Sequence, residues 1–184
     1  MDSEKHLRYQ NAMVSTYYAD TSFLDYVVMS EGTEQSSSSD LLTLLHSGKV
    51  FIVNSRKRNG LILFKRYHAE FAGPGAAVGG NYDSDCQIAL PIGNLSLLNP
   101  ESYDERQKAY LIRRQWIRLI KQITENALPQ QRVQKILDQF DQYFPSEMVA
   151  DLPDIAFALL VGVLPQTVGT VRRLCSEVDG KFSC

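Results

Sequence analysis

Polar side chains with the chemistry to read DNA bases lie close together near the C-terminus. Glutamine can pair with adenine through two hydrogen bonds, threonine can contact a thymine methyl group, and arginine can bind guanine or a phosphate. Such residues recur between positions 166 and 173, at spacings that suit one side of a helix. The candidate base-reading residues are Gln166, Thr167, Thr170, Arg172 and Arg173.

Residues 157–174, FALLVGVLPQTVGTVRRL, predict the two helices that would position these side chains. A short apolar helix is followed by a turn at Gly162 and by a second helix that begins at Pro165. Proline suits the first helical position, because its missing N–H would have no partner there. Ala158 is small enough to let the helices approach closely, and glycine readily adopts the backbone conformation of such a turn. This spacing is typical of a helix-turn-helix.

The same segment resembles the helix-turn-helix of the cyclic-AMP-receptor and FNR class of bacterial regulators. The resemblance rests on Gly162-Val163 and Thr167-Val168, while residues 132–140 resemble the helix that precedes the motif in that class. The family's serine at the start of the recognition helix is Leu164 here. The first half of the chain lacks the glycine-spaced β-roll of a cyclic-nucleotide domain. The resemblance therefore implies a DNA-reading helix over residues 165–174, without a cyclic-nucleotide ligand.

Positive charge is concentrated upstream of this motif, although the net charge of the chain is −2. Two β-type runs, residues 49–54 and 61–67, flank a polar segment that contains Asn59-Gly60, which predicts a β-hairpin. Its tip would carry Arg56, Lys57 and Arg58 as a wing that straddles the DNA backbone. The alternative is a solvated turn on an edge hairpin, where such cations discourage aggregation.

A second group of cations lies in the clearest amphipathic segment, residues 104–126. Apolar residues recur there at three- and four-residue steps, which predicts a long helix. Arg113, Arg114 and Arg118 are candidates to hold phosphates, and each such contact would steepen the salt dependence of binding. The helix could be a central core helix or a dimer seam, and we favour the core role.

Taken together, these patterns predict a predominantly helical α+β fold. Its parts are N-terminal helices with a β-hairpin, the long central helix, and the C-terminal helix-turn-helix. The predicted regions are residues 1–99 and 100–184, which can pack as one unit. The second region should also contain a helix over residues 132–144, whereas the glycine-rich residues 73–81 should form a flexible connector.

Catalytic chemistry is not indicated. His6, His46 and His68 lie in unrelated contexts, and the three cysteines lack metal-ligand spacing. We therefore expect no enzymatic activity, no cofactor and no metal site. Residues 1–20 have no apolar signal-peptide core, and the longest apolar run is too short to span a bilayer, so we expect a cytoplasmic protein without membrane contact.

The predicted function is that of a DNA-binding transcriptional regulator, a homodimer that binds double-stranded DNA. The basic hairpin and the long helix would hold phosphates while residues 165–174 read the bases. The alternative is a protein-interaction adaptor, in which the helices form a partner surface and do not bind DNA.

Overall fold

The computed structural model describes residues 38–179. Within this range, the chain forms six α-helices, a short 3₁₀ helix and two three-stranded antiparallel sheets. The prediction of a mixed α+β protein is confirmed. The helices predicted near the N-terminus, within residues 7–29, lie outside the described residues.

The two sheets are built from short and mostly buried strands. Helix α1, Ser38–Leu45, precedes the sheets, and a 3₁₀ helix, Gly80–Tyr82, lies between the fourth and fifth strands. The first sheet has the order β4-β1-β6 and the second has the order β3-β2-β5. The strands are β1 Val50–Val53, β2 Gly60–Phe64, β3 Ala69–Ala72, β4 Ala77–Gly79, β5 Ile88–Ile92 and β6 Leu97–Leu98.

The predicted hairpin between residues 49–54 and 61–67 is wrong. β1 pairs with β4 and β6, whereas β2 pairs with β3 and β5, so their connection passes from one sheet to the other. Buried Asn59 fixes this connection, because its amide donates to the carbonyl oxygens of Asn54 at 2.9 Å and Lys57 at 3.1 Å. Both strands are apolar, and each is hydrogen-bonded on both sides to strands other than its predicted partner. The basic residues therefore lie on a crossover loop, and no wing is formed by this pair.

Five further helices follow the strands. They are α2 Tyr103–Thr124, α3 Pro129–Tyr143, α4 Ser146–Ala150, α5 Asp154–Val161 and α6 Pro165–Asp179. The Ser102 hydroxyl caps α2 by accepting a hydrogen bond from the Glu105 N–H at 3.1 Å. Pro129 stands at the first position of α3, where a missing N–H costs nothing. The predicted long helix and the predicted helix over residues 132–144 are confirmed, each with a slightly earlier start.

The apolar core draws on both halves of the chain. Alternate residues of β2 point to opposite faces, so Ile62 packs with the C-terminal helices while Leu63 packs with α1 and β1. Phe71 of β3 is at the centre of the larger cluster, with its ring 5.0 Å from that of Trp116 and 4.9 Å from that of Phe140. The described parts of the two predicted regions, residues 38–99 and 100–179, thus share one cluster. Buried Ala109, Ile120 and Ile123 give α2 the expected core role.

The glycine-rich residues 73–81 are not the predicted flexible connector. They are largely buried and include β4. Gly73 lies so close to the indole of Trp116 that an added Cβ would be 2.4 Å from the ring. Gly79 has a φ of +82°, a backbone conformation that residues other than glycine disfavour. Glycine is used here for close packing of the backbone.

Candidate nucleic-acid interface

Helices α5 and α6 are bent by 113° at the turn that joins them. This angle lies within the range of roughly 90–120° at which the two helices of a helix-turn-helix meet. Gly162 ends α5 in the left-handed conformation, with φ 66° and ψ 50°. The Val163 N–H then donates to the Ala158 carbonyl at 3.0 Å, which satisfies one of the last carbonyls of the helix.

Apolar side chains hold α6 against the rest of the protein. Phe157 and Val161 of α5 and Val168 of α6 are fully buried, and Val171 is 5% exposed. Ala158 is also buried, and its small side chain allows the two helices to approach closely. One side of α6 is thereby fixed, which leaves the opposite side to solvent.

The outer side of α6 carries Gln166, Thr170 and Arg173, all of which are exposed. They are four and three residues apart, so they form one stripe along the helix. The Thr170 hydroxyl donates to the Gln166 carbonyl at 2.8 Å and accepts from Arg173 at 3.4 Å. Thr167 is only partly exposed. Three of the five candidate base-reading residues therefore share one exposed surface.

Arg172, which the sequence predicts as a DNA contact, is held by internal partners. Its guanidinium donates to the Val149 carbonyl at 3.0 Å and to the Ala150 carbonyl at 3.4 Å. It pairs with Asp154 at 3.1 Å and lies 5.0 Å from the ring centre of Phe157. Arg172 therefore ties α6 to the end of α4 and the start of α5.

The basic loop, residues 56–58, is exposed, and Gly93 is close both to the main chain of this loop and to α4. A methyl group placed on Gly93 would lie 2.8 Å from the Arg58 carbonyl oxygen and 3.2 Å from the Met148 sulfur. Met148 belongs to α4, whose last carbonyls bind Arg172 of α6. The basic loop and α6 thus both lie near this short helix.

Arg113 is buried, with 1% of its surface exposed, so its assignment as a phosphate contact is wrong. It donates to Glu70 Oε2 at 2.6 Å and to Asp83 Oδ1 at 3.3 Å. The sequence contains the signal for this burial. Arg113 follows Ala109 by four residues and precedes Trp116 by three, so helical spacing puts it on the inner side of α2.

Lys65, Glu70, Asp83 and Arg113 form a buried ion cluster. The Lys65 Nζ lies 3.8 Å from Glu70 and 3.7 Å from Asp83, and it pairs with the exposed Asp85 at 2.8 Å. Burial alone would lower the pKa of Lys65, but the hydrogen bond to Asp85 and the nearby carboxylates outweigh it and raise that pKa. No sequence motif marks this cluster, since its members come from separate elements. The buried ion cluster connects four parts of the fold: β3, the end of β2, the end of the 3₁₀ helix, and α2.

The pKa of Glu70 is lowered within this cluster. Burial alone would raise it, but the hydrogen bond from His68 and the charge and hydrogen bond of Arg113 lower it from 4.5 to about 2, with help from Lys65. The ionised carboxylate is therefore favoured by folding.

We expect Glu70 to stabilise the fold above about pH 4.5 and to lose this contribution as the pH falls towards about 2. The unfolded chain binds the proton first, so acid favours unfolding. In urea denaturation from neutral to acidic pH, the stability advantage of wild type over Glu70→Gln should shrink in this range. Exposed Glu147→Gln is the control. An advantage that stays constant with pH would contradict the assignment.

Arg114 and Arg118 point to the outside of α2, in contrast to Arg113. Together with Tyr82 and Lys121 they line an open groove of about 430 Å³. Their head groups are thus available to anions from solvent.

Cys86 does not have the environment of a nucleophile. Burial raises the pKa of its thiol to about 12, and the Sγ donates to the Ile88 carbonyl at 3.2 Å. His46 contacts the Cys86 carbonyl oxygen at 2.9 Å, and not the thiol. The thiol is therefore protonated at neutral pH.

Substitution of Gly162 should destabilise the turn in a graded order. Alanine should cost about 1–2 kcal/mol because an L-residue resists the left-handed conformation, whereas asparagine should cost less. A steric clash would not contribute to this loss of stability, because an added Cβ would contact only the Arg132 guanidinium, at 3.9 Å. Urea unfolding of both variants measures this difference, and equal stability of Gly162→Ala and wild type would contradict the assigned turn conformation.

No protein-family model, no curated protein and no solved structure matches the chain. Among the described side chains, no group of three or more histidine, cysteine, aspartate or glutamate residues is arranged to hold a metal ion. Within residues 38–179, no single helix is long and apolar enough to cross a membrane.

Proposed function

We propose that the protein binds double-stranded DNA through a helix-turn-helix formed by α5 and α6. The observation that carries this proposal is the 113° bend at a left-handed glycine, which presents one polar stripe of α6 to solvent. In this arrangement, α5 supports α6 from behind while Gln166, Thr170 and Arg173 enter the major groove. Glutamine would favour adenine, and arginine would favour guanine or a phosphate.

The proposed phosphate contacts differ from those expected from the sequence. The basic loop, residues 56–58, is retained because it is exposed and lies near α4. Arg114 and Arg118 are retained as a second cationic group on the outer side of α2. Arg113 and Arg172 are removed, because both are held by internal partners. Exposed Glu147 is in α4 and exposed Asp151 follows it directly, so the basic loop has to supply most of the attraction.

The wider proposal is a cytoplasmic transcriptional regulator that acts as a homodimer. A single recognition helix reads only a half-site, and a two-fold dimer would place two such helices about one turn of DNA apart. Sedimentation of the free protein and of its DNA complex would measure the stoichiometry.

DNA binding is tested by fluorescence anisotropy with labelled duplexes of random sequence at ~50 and ~200 mM salt. We expect Arg56→Ala/Lys57→Ala/Arg58→Ala to weaken binding and to reduce the salt slope by about one for each phosphate that is no longer neutralised. The matched control removes three other exposed cations, in Lys49→Ala/Arg106→Ala/Lys108→Ala. Equal binding by both triple variants would reject the basic loop as a phosphate contact.

The second candidate is the protein-interaction adaptor, which the exposed leucines of this region favour. Leu174 of α6 is 56% exposed, and Leu164 just before α6 is 41% exposed. Apolar side chains beside a polar stripe suit a protein partner better than a DNA groove. Absence of duplex binding at low salt would favour this candidate.

A further inference from the structure

The groove on the outer side of α2 has a chemistry of its own. Arg114, Arg118 and Lys121 are spaced four and three residues apart, so their side chains lie on one face of the helix. They span about 10 Å along its axis. Glu125 also lines the groove, but within the described chain none of the three cationic head groups forms an ion pair within 4.0 Å. Three cations that face one groove and outnumber its carboxylate create a positive local potential, which attracts multiply charged anions.

Tyr82 gives the groove an aromatic wall. Its side chain is 52% exposed, and its ring lies 5.8 Å from that of Tyr110 at an angle of 42°. One neighbour supports the ring while much of its surface is still open. Ile117 adds an apolar surface between the cations. A planar ring beside cations suits a ligand that has both a heterocycle and phosphates.

The buried ion cluster fixes the two walls of this groove relative to each other. The Tyr82 carbonyl accepts a hydrogen bond from Lys65 at 2.7 Å, and the next residue, Asp83, binds Arg113 at 3.3 Å. Arg113 directly precedes Arg114 in α2. Tyr82 of the aromatic wall and Arg114 of the cationic wall are therefore each adjacent in sequence to a member of the buried ion cluster. This cluster holds the two walls in place without a ligand.

We infer that this groove binds a nucleoside phosphate, with the base against Tyr82 and the phosphates on Arg114, Arg118 and Lys121. The groove has a volume of about 430 Å³ and is open to solvent. The same chemistry is found in a free nucleotide and in the unpaired end of a nucleic-acid strand. The inference shares Arg114 and Arg118 with the proposed phosphate contacts for DNA, but it does not depend on base reading by α6, which involves other residues.

The test is titration of the full chain with ATP that carries a fluorescent ribose label, followed by anisotropy. Arg114→Ala/Arg118→Ala/Lys121→Ala should weaken binding by roughly tenfold or more, because the variant lacks the charge-assisted hydrogen bonds to the phosphates. Lys49→Ala/Arg106→Ala/Lys108→Ala, with the same charge change, should bind as wild type does. Equal affinity of the two triple variants would overturn the site.

Recognition of the base is tested separately at Tyr82. Tyr82→Leu should weaken ATP binding by roughly tenfold, as removal of one stacking partner does, while Tyr82→Phe should retain it. Tyr67→Leu, at another exposed tyrosine, is the control. Pyrophosphate that competes as strongly as ATP would overturn the nucleoside part of the inference.

Competition then distinguishes the two sources of the ligand. Displacement by unlabelled ATP but not by a short single-stranded oligonucleotide identifies a free nucleotide. Displacement by the oligonucleotide at lower concentrations than ATP identifies a strand end. Displacement by neither would overturn the inference. The assay contains no duplex, so its outcome is separate from that of the duplex-binding experiment.

Discussion

Replacement of Arg113 by methionine is expected to lower the free energy of unfolding by about 3–5 kcal/mol. Methionine fills similar space but leaves the carboxylates of Glu70 and Asp83 without their main cation. Lys65 remains within 4 Å of both, at 3.8 Å and 3.7 Å, so the loss should fall at the lower end of that range. Urea unfolding followed by circular dichroism measures the change.

The neighbouring residue provides the matched control. Arg114→Met makes the same chemical change at an exposed position and should alter stability by less than about 0.5 kcal/mol. Adding Asp83→Asn to Arg113→Met should cost less than the sum of the two single changes, because the double variant no longer buries that unpaired charge. A loss for Arg113→Met as small as that for Arg114→Met would contradict the buried ion cluster.

Replacement of Phe71 by alanine is expected to destabilise the fold by about 3–5 kcal/mol. Phe71 is 1% exposed, and its ring packs on those of Trp116, Phe140 and Phe144. Its removal would leave a cavity between the second sheet and the C-terminal helices. The same measurement on Tyr67→Ala, an exposed aromatic residue, should show a much smaller change.

Gly60 allows the packing of Phe71 to be tested from the other side. A Cβ added at Gly60 would lie 2.7 Å from the Phe71 ring, so Gly60→Ala alone should cost about 1–3 kcal/mol through overpacking. In the Phe71→Ala background, the new methyl group enters vacated space and should cost less. Strictly additive effects would contradict the packing of Phe71 against Gly60.

The helices were more predictable than the strands. The pattern of residues 104–126 is local, and its three- and four-residue steps correctly predict α2 within a few residues at each end. The pairing of β1 and β2 could not be predicted in the same way, because both strands are almost uniformly apolar and suit any neighbour. Asn59-Gly60 was a misleading signal, because buried Asn59 stabilises a crossover instead of a hairpin turn.

Site residues were predictable only where exposure follows from helical spacing. Gln166, Thr170 and Arg173 fall on the outer side of α6 because Val168 and Val171 define its inner side. The partners of Arg172 come from α4 and α5, and those of Arg113 come from β3 and the segment after the 3₁₀ helix. Such long-range ion pairs leave no local pattern, so the charged partners of both arginines could not be predicted, although helical spacing places Arg113 on the inner side of α2.

Selection of bound duplexes from a randomised library is the most direct test of DNA reading by α6. We expect wild type to enrich a motif, and Gln166→Glu to change the preferred base at one pair in each half-site, from adenine towards cytosine. Gln115→Glu makes the same charge change on α2 and should keep the wild-type motif. Enrichment of one identical motif by wild type and Gln166→Glu, or of no motif by either, would contradict the proposed role of α6.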